Sequence, residues 1–296
     1  MLVSDFITAD NNPIVLCLGG FDSMHKGHAA IIKTAVDSKK SGENVAVTLF
    51  VNEGEVFERK SGDVFSFSER LDILEKLGVN EAIKIVFSKK FSMLSPTEFL
   101  DKIFDNRPIS RLICGPDFKF GSGGKGNADF LKDYCKQKGA KFSVIPFVTD
   151  EKGDKISTTS VKNALSLGDV KRCEEEYGIK YFIKGEVIHG REEGRKMGFP
   201  TANILPEKDK FPLKSGVYAC TVIVDGTNYR AISNLGDAPT FGVKNRILEC
   251  HIDGFFGDLY GKTLSVFFDD RIRDIVRFSG EKQLKEQLEK DLQVIR

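Results

Sequence analysis

The stretch Ile14–Ile32, IVLCLGGFDSMHKGHAAII, joins two apolar runs through a glycine-containing turn. The first run is short and ends at Gly19 and Gly20, which is typical of a buried strand. The second run starts beside two histidines, His25 and His28, and has helical periodicity. Because glycine lets the backbone turn sharply and lets a ligand approach it closely, the stretch predicts a strand, a ligand-binding turn and a helix.

The same alternation continues through the first half of the chain. Short apolar runs predict strands at Ile14–Leu18, Val45–Phe50, Ile83–Phe87, Arg111–Cys114 and Phe142–Pro146. Amphipathic patterns predict helices at Ala29–Ser38, Ser68–Leu77, Pro96–Phe104 and Ala128–Lys138. Strands that alternate with helices indicate a parallel sheet covered on both faces. In such sheets ligands bind beyond the carboxyl ends of the strands, where Gly19 and Gly20 fall.

The pattern changes after about residue 180. Short apolar runs separated by turns predict strands at Tyr181–Val187, Gly216–Val224, Tyr229–Asn234, Ile247–Ile252 and Thr263–Phe268. The pair Asp225-Gly226 is a hairpin signal, and Glu281–Leu292 has the pattern of one terminal amphipathic helix. We therefore expect an α/β domain over residues 1–180 and an antiparallel barrel or sandwich with a terminal helix over 181–296.

The composition excludes several classes of protein. The 44 Lys and Arg residues nearly balance the 43 Asp and Glu residues, so no overall field favours nucleic acid or an anionic membrane. No apolar run reaches the roughly 18 residues of a membrane span, and the amino terminus lacks an export signal. The six cysteines are scattered, with no Cys-x-x-Cys pair. We expect reduced core cysteines in a cytoplasmic protein.

Three segments of the first half carry candidate chemistry. His25 and His28, three residues apart, lie on one side of a first helical turn, where exposed amides and imidazoles suit a triphosphate. The second segment, Ile156–Lys162 (ISTTSVK), holds four adjacent hydroxyls and a lysine before a predicted helix, and the third, Ile113–Gly126 (ICGPDFKFGSGGKG), holds Asp117 and a glycine-rich loop. The alternatives are a solvated turn, ordinary helix caps and, less favoured without a third ligand nearby, zinc.

Together these segments resemble the nucleotidyltransferase module of bifunctional riboflavin kinase/FAD synthetase, over about residues 14–165. The resemblance implies a Rossmann-like domain that transfers AMP from ATP to FMN, with His25 and His28 on the ATP phosphates. It places Asp117 at the flavin end. The further residues implied to contact the nucleotide are Gly19, Gly20, Phe21, Ser157, Thr158, Thr159 and Lys162.

The second half contains a loop with a possible metal and phosphate site. In HGREEGRKMGFPTANILP, which ends at Pro206, Gly198 and Pro200 mark a tight loop. Thr201 and Asn203 offer two oxygens two residues apart, which suits magnesium and phosphate. Side chains that bond their own backbone are an equally good explanation from residue types alone.

The motifs GRKMGFPTANI, SGVYA, SNLGDAPTF, LECHI, LYGKTLSVFF and IRDIVRF resemble the riboflavin kinase module, over about residues 183–291. That resemblance implies a kinase β-barrel with Mg·ATP at Thr201 and Asn203. It makes Glu249 the catalytic base and places Arg273 near the flavin. The remaining loop residues implied to bind the nucleotide are Gly194, Arg195, Gly198 and Pro200.

The two reactions need different groups. The attacking alcohol of riboflavin stays protonated at neutral pH, so a carboxylate such as Glu249 helps, typically by about 100-fold or more. The attacking phosphate of FMN is already an anion and needs alignment and charge neutralisation instead. Sequence alternation cannot decide whether Glu249 serves as base or merely faces solvent, because its neighbours Leu248 and Cys250 lie on the other face of the strand.

Three positions depart from the family pattern, and all lie in the adenylyl-transfer half. Ser23 replaces a glycine, Val51-Asn52-Glu53 replaces Pro-His-Pro, and Lys162 replaces an arginine that could bind phosphate with two donors. We expect a two-domain, magnesium-dependent enzyme that acts on riboflavin, FMN and ATP, either as a monomer or as a homo-oligomer. The alternatives are a riboflavin kinase with a degenerate front domain, a non-enzymatic flavin-binding or flavin-sensing protein or nucleic-acid-binding barrel, and transfer to another phosphate acceptor.

Overall fold

A computed structural model of the chain describes residues 1–6, 9–51, 62–190, 198–207, 210–237 and 246–296. The chain divides into two compact units, Met1–Thr158 and Thr159–Arg296. The predicted boundary near residue 180 falls inside the second unit, just before its first strand, which begins at Phe182. No helix in the described residues is long and apolar enough to cross a membrane.

The first unit is built on a six-stranded parallel sheet in the order β1-β4-β3-β2-β5-β6. Its strands are β1 (Leu2–Asp5), β2 (Ile14–Leu18), β3 (Asn44–Val51), β4 (Glu81–Val86), β5 (Ile109–Cys114) and β6 (Lys141–Val144). Every residue of β2 is buried, as a central strand packed on both faces requires. The predicted α/β class is confirmed.

Five helices in the described part of this unit connect the strands: α1 (Lys26–Ser38), α2 (Phe67–Lys76), α3 (Lys89–Ser92), α4 (Pro96–Phe104) and α5 (Ala128–Lys138). Local signals fix several of their ends. Ser66 and Ser95 form capping boxes with Glu69 and Glu98, and Pro96 occupies the first turn of α4. These caps explain why the predicted bounds of α4 agree with the structure.

The sheet has one switch point, at β2. This strand lies between β3 and β5, so the chain leaves it in both directions across the sheet. The crevice at such a point, beyond the carboxyl end of the strand, is the usual ligand site of an open α/β sheet. The turn after Leu18 and the loop after Cys114 both begin at this edge, because Leu18 pairs with Cys114 in the register.

The second unit contains a closed antiparallel barrel in the order β10-β11-β8-β7-β12-β9. Its strands are β7 (Phe182–Ile188), β8 (Ala202–Pro206), β9 (Gly216–Val224), β10 (Thr227–Asp237), β11 (Arg246–Ile252) and β12 (Thr263–Arg273). The predicted hairpin is confirmed, since Asp225 and Gly226 both have positive φ, 48° and 82°. The loop predicted around PTAN is wrong from Ala202 onward, because β8 pairs with both β7 and β11.

The helices in the described part of the second unit are α6 (Thr158–Leu167), whose first residue is the last of the first unit, α7 (Val170–Glu175) and α8 (Glu281–Ile295). The barrel and α6 meet closely: the Lys214 amide donates to the Leu165 carbonyl over 3.0 Å. Helix α8 packs Leu292 and Ile295 against Ile232 and its neighbours on β9. Since Ile232 and Asn234 lie two apart on β10, α8 covers the barrel face to which Asn234 also belongs.

Candidate active sites

The turn between β2 and α1 is held in a strained, fixed conformation. Phe21 and Met24 are buried non-glycine residues with positive φ, 40° and 50°, and such strain concentrates at ligand sites. The Asp22 carboxylate accepts a hydrogen bond of 2.6 Å from the Val64 amide. A Cβ at Gly19 would come within 2.8 Å of the Phe21 ring, whereas nothing lies within 4 Å of one at Gly20. Packing against Phe21 therefore requires glycine at position 19, whereas the space beside Gly20 is open to a ligand.

The structure brings His25 and His28 together at the start of α1, with ring centroids 3.9 Å apart. His25 caps the helix, and its Nδ1 accepts the Gly27 amide over 3.1 Å. The proton of the neutral ring is therefore on Nε2, which remains a donor. Burial, followed by the nearby Lys155 cation, lowers the pKa of His25 to about 4, against an opposing effect of Asp117. Burial and then His25 hold the pKa of His28 well below its usual range.

Lys155 is a site residue that the sequence reasoning did not select. Its ammonium pairs with the Asp117 carboxylate and lies 4.0 Å from the centroid of the Phe147 ring. It is also near enough to affect the pKa of His25. In the sequence, the signal that could have identified Lys155 is its position just before the Ile156–Lys162 segment. The loop of Asp117 and the segment between β6 and Ile156, where Lys155 bridges to Thr149, thus bring a cation to the histidine turn.

The histidine segment and the Ile156–Lys162 segment meet through two hydroxyls. Ser23 Oγ lies 3.0 Å from Thr158 Oγ1, and Ser23 is fully buried. Ser157 is half-buried beside it, and Thr159 is exposed. Lys162, one turn along α6, lies 5.4 Å above the Phe211 ring. Of the remaining departures from the family pattern, Val51 ends β3, and Asn52 and Glu53 lie outside the described residues.

A row of polar side chains crosses three neighbouring strands of the barrel. Asn203 on β8 pairs with Glu249 on β11, and Glu249 pairs with Asn234 on β10. The Asn234 amide nitrogen lies 3.5 Å from a Glu249 carboxylate oxygen, and the buried Asn234 Oδ1 has no hydrogen-bond partner. Leu248 and Cys250 are fully buried, and Glu249 is exposed. The face that alternation alone could not assign to Glu249 is therefore the outer one.

Gly190 lies close to Asn203 of β8. A Cβ at Gly190 would lie 2.1 Å from Asn203 Nδ2, so the backbone there closely approaches this side chain. Gly198 has a φ of 85°, and the Pro200 carbonyl lies 2.9 Å from His251 Nδ1. Thr201 is exposed beside them. Gly194 and Arg195 lie outside the described residues.

A cavity of about 600 Å³ opens beside Thr201. Pro200 and Thr201 line one side, and Phe255, Leu259 and Tyr260 line another. Its lining is mostly apolar with a few polar groups, which is the usual character of a small-molecule site. Ala202 and Cys250 also line it, and they alternate with Asn203 and Glu249 along β8 and β11, so the cavity lies on the other face of these strands from the polar row.

Arg273, predicted near the flavin, is held by an ion pair with the terminal helix. Its Nε and Nη2 donate to the Asp291 carboxylate over 3.0 and 2.6 Å, and Nη1 donates to the Asp274 carbonyl. Asp291 is buried and also accepts from the Gln287 amide over 2.8 Å. The position of this guanidinium is consequently fixed by α8.

Within the described residues, no group of three or more His, Cys, Asp or Glu side chains is arranged to hold a metal ion. Among the described residues, His25 and His28 therefore have no third side chain of these types arranged with them to bind zinc. Thr201 and Asn203 of the second half both carry side-chain oxygens, the ligand type that Mg²⁺ prefers.

Two family models match the chain along most of its length. Residues 7–160 match the family described as FAD synthetase, and residues 177–296 match riboflavin kinase. The bifunctional riboflavin kinase/FMN adenylyltransferase of Bacillus subtilis (strain 168) is 33% identical over 287 residues, 94% of this chain and 90% of that protein. The enzyme of the same name from Escherichia coli (strain K12) is 32% identical over 284 residues, with the same coverage.

The chain belongs to the bifunctional riboflavin kinase/FMN adenylyltransferase family. Both activities, phosphorylation of riboflavin and adenylylation of FMN, are supported, because each half has its own match. The alternatives of a kinase alone and of a non-enzymatic flavin-binding protein are not favoured.

A solved structure supports the same fold. A crystal structure titled as a macrolide-efflux protein from Streptococcus pneumoniae matches with a TM-score of 0.87 and 29% identity. The match covers 100% of this chain and 99% of that one. The predicted combination of an α/β unit and a barrel with a terminal helix is confirmed.

Proposed function

We propose that the barrel phosphorylates riboflavin with Glu249 as general base. The observation that carries this proposal is the register of β8, β11 and β10, which sets Asn203 and Asn234 on either side of Glu249. Side chains directly opposite on neighbouring strands have Cβ atoms about 5 Å apart. A phosphate bound at Asn203 is therefore within reach of an alcohol whose proton Glu249 accepts.

Thr201 and Asn203 are the residues that would hold Mg²⁺ with the phosphates of ATP. Their oxygens are of the type that Mg²⁺ prefers, and the close approach of Gly190 holds Asn203 in place. The bound ion would neutralise charge on the transferring phosphate. The apolar cavity that Thr201 lines is suited to the base and ribose of the same nucleotide. Gly194, Arg195, Gly198 and Pro200 complete the nucleotide loop in this proposal.

In the α/β unit, we propose that ATP binds at the turn after β2 and that FMN attacks its α-phosphorus. The bond from that phosphorus to the FMN phosphate oxygen forms while the bond to pyrophosphate breaks. No residue needs to remove a proton, because the FMN phosphate is already ionised. His25 donates through Nε2, Lys155 supplies positive charge, and Gly20 leaves room for the triphosphate.

The remaining contacts of this half are assigned by position. Gly19 and Phe21 shape the turn, and His28 extends the donor set beside His25. Ser157 and Thr158 are assigned to the nucleotide in this unit, and Thr159 and Lys162 follow them in the same sequence motif. Asp117 lies at the flavin end, where its pair with Lys155 would open or adjust when FMN binds.

Changing Glu249 to Gln tests the kinase assignment. We expect kcat for riboflavin phosphorylation to fall by about 100-fold or more, because the amide cannot accept the alcohol proton. Adenylylation of added FMN by the same sample should be unchanged. The matched control is Glu186→Gln, which alters an exposed glutamate on β7 of the same barrel. Kinase turnover by Glu249→Gln at the rate of the control would remove Glu249 from this role.

The enzyme's partners in this proposal are riboflavin, FMN and ATP, without nucleic acid or membrane. We place it in the cytoplasm, where ATP is available and where six buried free cysteines stay reduced. Incubation with FMN and Mg·ATP should yield FAD and pyrophosphate in equal amounts. Failure to form either product would leave the kinase assignment standing and reject the adenylyl half. Sedimentation at assay concentration would establish whether a homo-oligomer forms.

A further inference from the structure

Ser23 is a buried polar residue within the strained turn of the α/β unit. Its relative exposure is 0%, and it lies between Phe21 and Met24, both with positive φ. A hydroxyl removed from water in this way costs free energy unless it is hydrogen-bonded. Thr158 Oγ1, 135 residues further along the chain, lies 3.0 Å from Ser23 Oγ. The partner is thus a residue of the hydroxyl cluster at the start of α6.

The direction of this hydrogen bond follows from the burial of its two ends. An unused hydroxyl proton costs more inside the protein than an unused lone pair, because oxygen retains a second acceptor position. Ser23 is fully buried, and Thr158 is only half-buried. The arrangement that satisfies both hydroxyls has Ser23 donating to Thr158. Thr158 then keeps its own proton for an acceptor on its open side.

We propose that Ser23 is a positioning residue for adenylyl transfer, which fixes the Thr158 hydroxyl as a donor to the ATP phosphates. This inference rests on the proposed adenylyl function of the same turn. It gives Ser23, one of the departures from the family pattern, a role of its own in this chain. A glycine at the position would remove the hydroxyl and free the backbone of the turn.

The test compares FAD formation by Ser23→Ala, Thr158→Val and the double variant, with ATP varied at saturating FMN. We expect Ser23→Ala to lower kcat/KM for ATP about fivefold, the effect of one typical hydrogen bond. Ser23→Gly should lose as much, although it restores the glycine of the family pattern. Thr158→Ser, which keeps the hydroxyl, should retain near-normal kcat/KM. The double variant should have the same kcat/KM for ATP as Thr158→Val, because both substitutions disrupt the same Ser23–Thr158 hydrogen bond.

The control variant is Ser110→Ala, which removes a hydroxyl that donates to the Ile14 carbonyl at the opposite edge of the sheet. It should leave kcat/KM for ATP unchanged. A Ser23→Ala enzyme within twofold of wild type, or effects that multiply in the double variant, would overturn the positioning role. A lowered melting temperature with unchanged kcat/KM per folded molecule would overturn it too. Absence of FAD formation by wild type would instead reject the adenylyl function itself.

Discussion

The ion pair between Arg273 and Asp291 should hold the terminal helix on the barrel. The Asp291 side chain is only 2% exposed and that of Arg273 is 20% exposed, so this pair is largely removed from water. Asp291→Asn keeps the shape but leaves the guanidinium without its counter-charge. Removing one member of a buried pair typically costs 3–5 kcal/mol. Because Arg273 keeps some contact with water, we expect about 3 kcal/mol.

For a unit of this size, about 3 kcal/mol corresponds to a decrease in melting temperature of roughly 10 °C. Calorimetry should show that decrease in the transition of the second unit, and hydrogen exchange should show reduced protection of α8. The matched control is Asp253→Asn, whose partner Arg296 is largely exposed; exposed pairs contribute little, so its melting temperature should stay close to wild type. If Asp291→Asn also melts within about 2 °C of wild type, the reasoning about this pair is refuted.

The same variant tests the predicted position of Arg273 beside the flavin. Since the pair fixes the guanidinium, its loss should raise KM for riboflavin more than KM for ATP in the kinase reaction. Equal changes in both constants would leave Arg273 with a role in folding alone.

Three further predictions concern other parts of the chain. Gly190→Ala should raise KM for Mg·ATP in the kinase reaction at least severalfold, because the added Cβ would displace Asn203. The control is Gly280→Ala, which should leave this KM unchanged because a Cβ at Gly280 meets nothing within 4 Å. The first unit should lose about 3 kcal/mol of its free energy of unfolding as pH falls from about 6.5 to 4, because the pKa of His25 is about 4 in the folded protein and the unfolded chain takes up this proton first. Melting temperatures of wild type and His25→Gln, measured across this pH range, should differ in their pH dependence. Burial raises the pKa of all six cysteine thiols, so iodoacetamide at pH 8 should label the native protein slowly and label six thiols after denaturation.

The fold could be predicted wherever local signals and burial agreed. The bounds of β2, β9, α4 and α5 follow from apolar runs or helical periodicity with clear ends. Leu2–Asp5 escaped prediction because only one of its four residues is buried, so it lacks an apolar pattern. β8 escaped because glycine and proline dominate the sequence around PTAN, whereas its pairing with two distant strands determines its conformation.

The candidate sites could be predicted only in part, and the reason is similar. His25 and His28 lie three residues apart, so helix geometry alone places them together. Lys155 meets Asp117 across 38 residues, and Asn234 meets Glu249 across a barrel register. Such pairs depend on tertiary structure that no local spacing specifies. The same limit applied to the outer face of Glu249, which required the burial of Leu248 and Cys250 to be known.

The protonation of the histidine turn decides how the first site can neutralise a triphosphate. With its pKa lowered to about 4, His25 is neutral at pH 7 and contributes one N–H donor without positive charge. Burial and His25 lower the pKa of His28 as well. Positive charge near the two rings must then come from lysines, Lys155 and the adjacent Lys26, and from whatever cation accompanies ATP. Lys155→Gln should therefore lower the rate of adenylyl transfer more than His25→Gln does, when both are compared at pH 7. The reverse order would mean that the bound nucleotide restores the imidazolium.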